Sequence, residues 1–188
     1  MTKYILHGGA ARRDTEDNKE FFIEIVKDIM DPVNVLIVCY AKDKKIWEEA
    51  FESVKESFKK ALPQKHLNFV LAGHNTEGFK EQLKEVNAVY ILGGNTHILQ
   101  EYLEKVPDLV NLLKNKTIAG SSAGALVFSS YYYENDDDTY NKGLGILPYK
   151  TFCHYTEEKT NKLKKLKGFG KNIKIHAIPE EKYIVIKK

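Results

Sequence analysis

The sequence predicts an α/β fold with a mainly parallel central sheet, and three observations carry that prediction. Five apolar runs of strand length alternate with segments of helical spacing between Lys3 and Ala119, as in a parallel sheet covered by helices on both faces. Glycines follow several of these runs directly, at Gly8-Gly9, Gly93-Gly94 and Gly120. The third observation is Gly120-Ser121-Ser122-Ala123-Gly124, which has the form G-x-S-x-G of a nucleophile elbow. Right-handed crossovers bring the carboxyl ends of parallel strands to one edge. The three glycine turns are therefore expected to converge there.

Each element has its own signal. Lys3 to Leu6 is a short strand that runs into His7-Gly8-Gly9-Ala10; no third glycine completes a dinucleotide fingerprint. Asp17-Asn18-Lys19-Glu20 reads as a capping-box start, and Phe22, Ile25, Val26 and Ile29 make one apolar helix face. Pro32 lies just beyond that helix, and Asn34 to Tyr40 is a continuous apolar run, as expected of a buried parallel strand. Between Lys44 and Leu62, the residues Trp47, Phe51, Val54, Phe58 and Ala61 form a core-facing stripe, with Lys and Glu opposite. Leu67 to Leu71 is the third strand, Gly73-His74-Asn75 a loop, and Phe79, Leu83 and Val86 mark a short helix. Ala88 to Leu92 is the fourth strand and ends in Gly93-Gly94-Asn95-Thr96. Asn95 or Thr96 then caps a helix bearing Leu99, Tyr102 and Leu103. Pro107 restarts a helical turn through Val110 and Leu113, and Thr117 to Ala119 is the fifth strand, which delivers Ser122.

After Leu126 the pattern weakens. Tyr131 to Asp138 reads as a polar loop, and Gly143 to Pro148 as an irregular connection. Phe152 to Tyr155 reads as a short strand, and Thr156 to Lys167 has helical spacing through Leu163 and Leu166. Asn172 to Ile178 and Tyr183 to Ile186 are strands around a turn at Pro179-Glu180-Glu181. The lysines from Lys159 to Lys174 read as a solvated face.

Length and composition narrow the function classes. The 188 residues are expected to form a single domain, 1–188, with a sizeable core. A net charge of +3 is too small to point to nucleic acid or a membrane surface as partner. No apolar run approaches the length of a membrane span, and the amino-terminal apolar stretch is too short for a signal peptide. Cys39 and Cys153, the only cysteines, make neither a metal pattern nor a disulfide framework. A cytoplasmic protein without metal or cofactor is expected.

The elbow has a physical logic. A serine on a sharp strand-to-helix turn needs small neighbours, because the crossing backbones leave no room for a Cβ. Its hydroxyl is then lifted clear of the sheet, and the next N–H, that of Ala123, is aimed at the reacting oxygen. The positive end of the following helix favours developing negative charge. The serine hydroxyl is inert without an adjacent base. Among the histidines, His7, His74, His97 and His154 lie near expected edge loops, His66 sits in a connection and His176 in an apolar strand.

These motifs together resemble the aspartyl dipeptidase (peptidase E) and cyanophycinase family of serine peptidases. The resemblance rests on Leu92-Gly93-Gly94-Asn95-Thr96, on Gly120 to Ala125, on Gly143 to Pro148 leading to Cys153-His154-Tyr155, and on Ile178-Pro179-Glu180. It spans nearly the whole chain. It implies a flavodoxin-like three-layer sandwich related to class I glutamine amidotransferases, and hydrolysis of a peptide bond in a small peptide substrate. It also implies Ser122 as nucleophile, His154 as base, and the N–H groups of Gly94 and Ala123 as oxyanion donors. Glu180 matches the family's acid, although the glycine that usually follows it is Glu181 here. Asp136 or Asp137, in the loop after the nucleophile helix, is the alternative acid.

Two departures bear on specificity and assembly. The aspartyl dipeptidases carry an arginine after the histidine that holds the substrate's aspartate. The matching stretch here, Glu157 to Lys162, has none, so aspartate preference is not expected unless Arg12, Arg13 or Lys159 folds over the site. The chain stops soon after Ile186, earlier than typical relatives, and an exposed strand edge could then be covered by a second copy. A monomer or homodimer is expected. The competing function is a non-catalytic, amidotransferase-like protein that binds a small metabolite or a partner. A glutamine amidotransferase fits poorly, because its elbow nucleophile would be cysteine.

Overall fold

In the computed structural model, which describes residues 1–188, the first half of the chain builds β1 (Lys3–His7), α1 (Glu16–Val26), β2 (Val33–Val38), α2 (Trp47–Ala61), β3 (Leu67–Leu71), α3 (Thr76–Glu85) and β4 (Ala88–Ile91). There follow α4 (Thr96–Glu104), α5 (Leu109–Leu112), β5 (Thr117–Ser121), α6 (Ala123–Leu126), β6 (Ser129–Glu134) and β7 (Thr139–Lys142). The last elements are β8 (Leu147–Cys153), α7 (Thr160–Gly168), β9 (Ile175–Ile178) and β10 (Tyr183–Lys187). No helix is long and apolar enough to cross a membrane.

The strands form two sheets. The larger has the order β10-β1-β5-β4-β2-β3, parallel throughout except for β10, which runs antiparallel along β1. Right-handed crossovers put α1 and α2 on one face, where Phe22, Phe58, Phe69 and Tyr90 pack ring against ring. They put α3 and α4 on the other, where Tyr102 stacks on Tyr40. Nearly every residue of β1, β2, β4 and β5 is buried, the signature of strands covered on both faces. The mixed α/β architecture with a mainly parallel sheet is the one expected from the sequence.

The second sheet, β7-β6-β8-β9, corrects two expectations. Tyr131 to Asp138 is not a loop: Ser129–Glu134 is a strand, paired in parallel with β8 and antiparallel with β7. Tyr131, Tyr132 and Tyr133 are all buried. Three consecutive tyrosines covered on both faces give no alternation to read. The strand expected at Phe152 to Tyr155 begins instead at Leu147, and His154 lies just past its end. The fully buried Lys150 hides within β8. Its ammonium donates to the carbonyls of Leu166, Lys167 and Phe169 and so caps the carboxyl end of α7.

Two helix ends also differ from expectation. α1 is capped by Thr15, whose hydroxyl accepts from the Asn18 N–H, and not by the segment starting at Asp17. The helix after Ser122 is a single turn, Ala123–Leu126, so little of an extended helix dipole is available to the serine.

Candidate active site

The elbow is fixed by backbone crossing. A Cβ on Gly120 would lie 2.1 Å from the Gly124 carbonyl oxygen, and one on Gly124 2.3 Å from that of Ile91. No larger residue fits either position. Ser122 between them has φ 53° and ψ −115°, a strained conformation of the kind found at functional sites. Its N–H donates to the His7 carbonyl at 3.0 Å, and its own carbonyl accepts from Ala125 and Leu126. The Ala123 and Gly124 N–H groups open the helix and have no intrahelical acceptor.

His154 comes from the other sheet. It also has positive φ, 52°, and its N–H donates to the Gly8 carbonyl at 2.8 Å. Its carbonyl accepts from the Lys159 ammonium at 2.7 Å, while Lys159 also donates to Asn135. Asn135 in turn donates to the Cys153 carbonyl. The imidazole Nε2 is 2.9 Å from Ser122 Oγ, and Nδ1 is 2.8 Å from Glu180 Oε1. An ionised carboxylate only accepts, so Nδ1 carries the proton toward Glu180 and Nε2 accepts from the serine hydroxyl. Gly9 lies flush on the ring: a Cβ there would sit 2.1 Å from His154 Cε1.

Glu180 is held from both sides. Chiefly the hydrogen bond to His154, and then Arg13, keep its carboxyl below the usual carboxylate range. Arg13 Nη1 is 2.6 Å from Glu180 Oε2 and 3.1 Å from Glu181 Oε1. Glu181 keeps φ at 65°, a region in which a non-glycine residue costs roughly 1–2 kcal/mol. Its N–H donates to the Gly9 carbonyl and its side chain meets Arg13. The turn therefore survives the loss of glycine.

The other candidates lie elsewhere. Asp136 lines the site cavity but both His154 nitrogens are already engaged, and Asp137 faces the exposed His97 at 3.8 Å. His7 is buried behind the elbow: Gly9 N–H donates to its Nδ1, and its Nε2 meets Asn18 Oδ1. Burial lowers its pKa from 6.5 to about 4, so the ring is neutral near pH 7. Cys153, beneath Ser122, is no rival nucleophile, because burial pushes its thiol well above the ordinary range.

Ser122 opens into a cavity of about 660 Å³ at the carboxyl ends of β1, β2, β4 and β5, roofed on one side by the end of β6. Gly93 and Gly94 form part of its wall. A Cβ on Gly93 would lie 3.0 Å from Ser122 Cβ, and Gly94, at φ 148°, passes so close to Ala41 that a Cβ would meet its carbonyl at 2.1 Å. Arg12 and Arg13 both line the cavity, whereas Lys159 does not. Sequence reading missed Asn18, which donates to the Ala10 and Arg13 carbonyls and so shapes the loop that bears both arginines. It also missed Asn135 and Glu134, hidden in a stretch taken for a loop.

A serine on a strained turn, hydrogen-bonded to a histidine that is oriented by a carboxylate, defines the serine-hydrolase class on an α/β sheet. The chain belongs to peptidase family S51, whose profile matches residues 4–188, and is a serine peptidase. Two solved structures are similar in fold. One is a peptidase from an acI-B1 Actinobacterium, at TM-score 0.70 and 18% identity, covering 100% of this chain and 84% of that one. The other is a candidate peptidase E protein from Listeria monocytogenes EGD-e, at TM-score 0.70 and 20% identity, covering 99% and 94%. A search of curated proteins found no significant match.

Proposed function

We propose that this serine peptidase hydrolyses a peptide bond in small peptides through Ser122, His154 and Glu180. The observation that carries the reading is the unbroken hydrogen-bond chain from Ser122 Oγ through the imidazole to Glu180 Oε1. As Ser122 Oγ attacks the scissile carbonyl, its proton passes to His154 Nε2, and Glu180 stabilises the imidazolium that results. The carbonyl oxygen becomes an oxyanion, for which the N–H groups of Gly94 and Ala123 are the proposed donors. His154 then returns the proton to the leaving amine, leaving an acyl-Ser122 ester. A water activated by the same imidazole cleaves that ester.

A cavity of about 660 Å³ is of a size that suits short peptides. Arg12 on its wall has no acidic partner and is the proposed anchor for a substrate carboxylate, whereas Arg13 is committed to Glu180 and Glu181. The test is hydrolysis of a dipeptide panel followed by mass spectrometry. Wild-type protein should cleave some members, and Ser122→Ala or His154→Ala should lower kcat by about 10³-fold or more with the fold retained. No turnover of any member by the wild-type protein, or turnover that survives Ser122→Ala, would overturn the reading.

A further inference from the structure

The turn that leaves β1 reaches all three parts of the proposed triad through its main chain. The His7 carbonyl accepts from the Ser122 N–H at 3.0 Å, the Gly8 carbonyl from the His154 N–H at 2.8 Å, and the Gly9 carbonyl from the Glu181 N–H at 2.9 Å. Three consecutive carbonyls thus hold the nucleophile, the base and the neighbour of the acid. Close packing repeats the pattern. A Cβ on Gly8 would overlap the Pro179 carbonyl, just before Glu180, and one on Gly9 would strike the His154 ring. Neither glycine has a side chain with which to fix the shape of this turn.

The His7 imidazole, fully buried, supplies what the glycines lack. Asn18, also buried, donates from Nδ2 to the Ala10 and Arg13 carbonyls at 3.0 and 2.9 Å, so its Oδ1 is the atom that faces His7 Nε2 at 3.0 Å. An amide oxygen only accepts, so Nε2 carries the proton of the neutral ring and Nδ1 is bare. Nδ1 accepts from the Gly9 N–H at 3.1 Å, and Ser121 Oγ lies 3.3 Å from the same nitrogen. The Gly9 N–H has no main-chain acceptor, and a buried donor of this kind is costly to leave unpaired. Burial keeps the ring neutral near pH 7, which preserves Nδ1 as an acceptor.

We propose that His7 is a positioning residue: protonated at Nε2 alone, its imidazole closes the His7–Gly9 turn and so keeps Ser122, His154 and Glu180 in register. His7 does not line the cavity, so it acts on the reaction through the turn. This assignment rests on the triad reading above and adds to it the element that aligns the triad.

The experiment separates the two ring nitrogens. In His7→Asn a side-chain oxygen takes the place of Nδ1 and can still accept from the N–H two residues on. In His7→Gln a polar group takes the place of Nε2, and the acceptor at Nδ1 is lost. Both variants lose the buried ring, so a merely structural role predicts parallel losses of Tm and activity in the two. We expect His7→Gln to lower kcat about tenfold or more with KM changed by less than about twofold, and His7→Asn to lose no more than about threefold. Exchange of the Gly9 amide hydrogen should accelerate in His7→Gln and not in His7→Asn. Nitrogen NMR of the wild-type protein, which needs no variant, should show His7 protonated only at Nε2 near pH 7. The His154 Nδ1–H resonance, which reports the contact with Glu180, should shift in His7→Gln and stay in place in His7→Asn. That pattern in a wild-type protein that turns over no peptide would sink the peptidase mechanism and leave the positioning role standing. Equal activity losses in the two variants, a loss expressed in KM, or a His7 ring protonated at Nδ1 would overturn it.

Discussion

Ser122 and His154 share an unusual backbone, with φ near 50° at the end of a strand, yet they are held in different ways. Ser122 follows a strand of the larger sheet and is fixed chiefly by main chain, since Gly120 and Gly124 let three backbone segments cross within a Cβ's reach. His154 ends a strand of the smaller sheet and is fixed largely by side chains. Lys159 donates to its carbonyl, Asn135 holds Lys159 and the Cys153 carbonyl, Glu180 orients its ring, and Arg13 backs Glu180. The difference teaches that the nucleophile's geometry is a property of one turn, whereas the base's geometry is a property of how two sheets meet. Substitutions around His154 should therefore tune activity gradually, and those in the elbow should abolish it.

The sharpest way to break this comparison is Gly9→Ala, where main chain from the loop after β1 lies against the imidazole. Gly9 has φ 121°, and a methyl group there would overlap the imidazole at 2.1 Å. A displacement of about 1 Å is enough to cost roughly 10²-fold in rate. We expect kcat to fall by about that factor in a dipeptide assay, with far-ultraviolet circular dichroism unchanged. A fully active Gly9→Ala protein would mean that the ring is not held against this glycine in solution.

A smaller effect is expected from Lys159→Met, which keeps the length of the side chain and removes its donors. The His154 and Asn135 oxygens would lose a charge-assisted partner, but both are only partly buried and water can replace it. The expected outcome is a decrease in kcat/KM of about three- to tenfold, with Tm lower by a few degrees at most. A loss as large as that of Gly9→Ala would show that the clamp, and not packing on Gly9, sets the position of the base.

How much of this was legible in the sequence follows the same division. The larger sheet was readable because β1, β2, β4 and β5 are buried on both faces and its helices carry one apolar stripe, as Trp47 to Ala61 does. The elbow was readable because glycine at 120 and 124 is demanded by local crossing. The smaller sheet was not, because Tyr131, Tyr132 and Tyr133 bury every side chain instead of alternate ones, and an acidic turn follows at once. Lys150 gave no signal either, as a lysine inside a strand reads as solvated until its three carbonyl partners are seen. Glu180 and His154 were suggested by resemblance and not by spacing, since residues 26 positions apart meet only through the sheet-to-sheet contact. Arg13's role on Glu180 and Glu181 could not be inferred from a loop 168 residues away in sequence.

The central claim is that Ser122 is a nucleophile activated by His154, and covalent labelling tests it most directly. Wild-type protein treated with a fluorophosphonate should gain one adduct, and peptide mapping should place it on Ser122 and not on the adjacent Ser121. His154→Ala should slow that labelling by about 10²-fold or more, because the hydroxyl would lose the base that takes its proton. A wild-type protein that takes no label, or an adduct whose rate is unchanged in His154→Ala, would contradict the account.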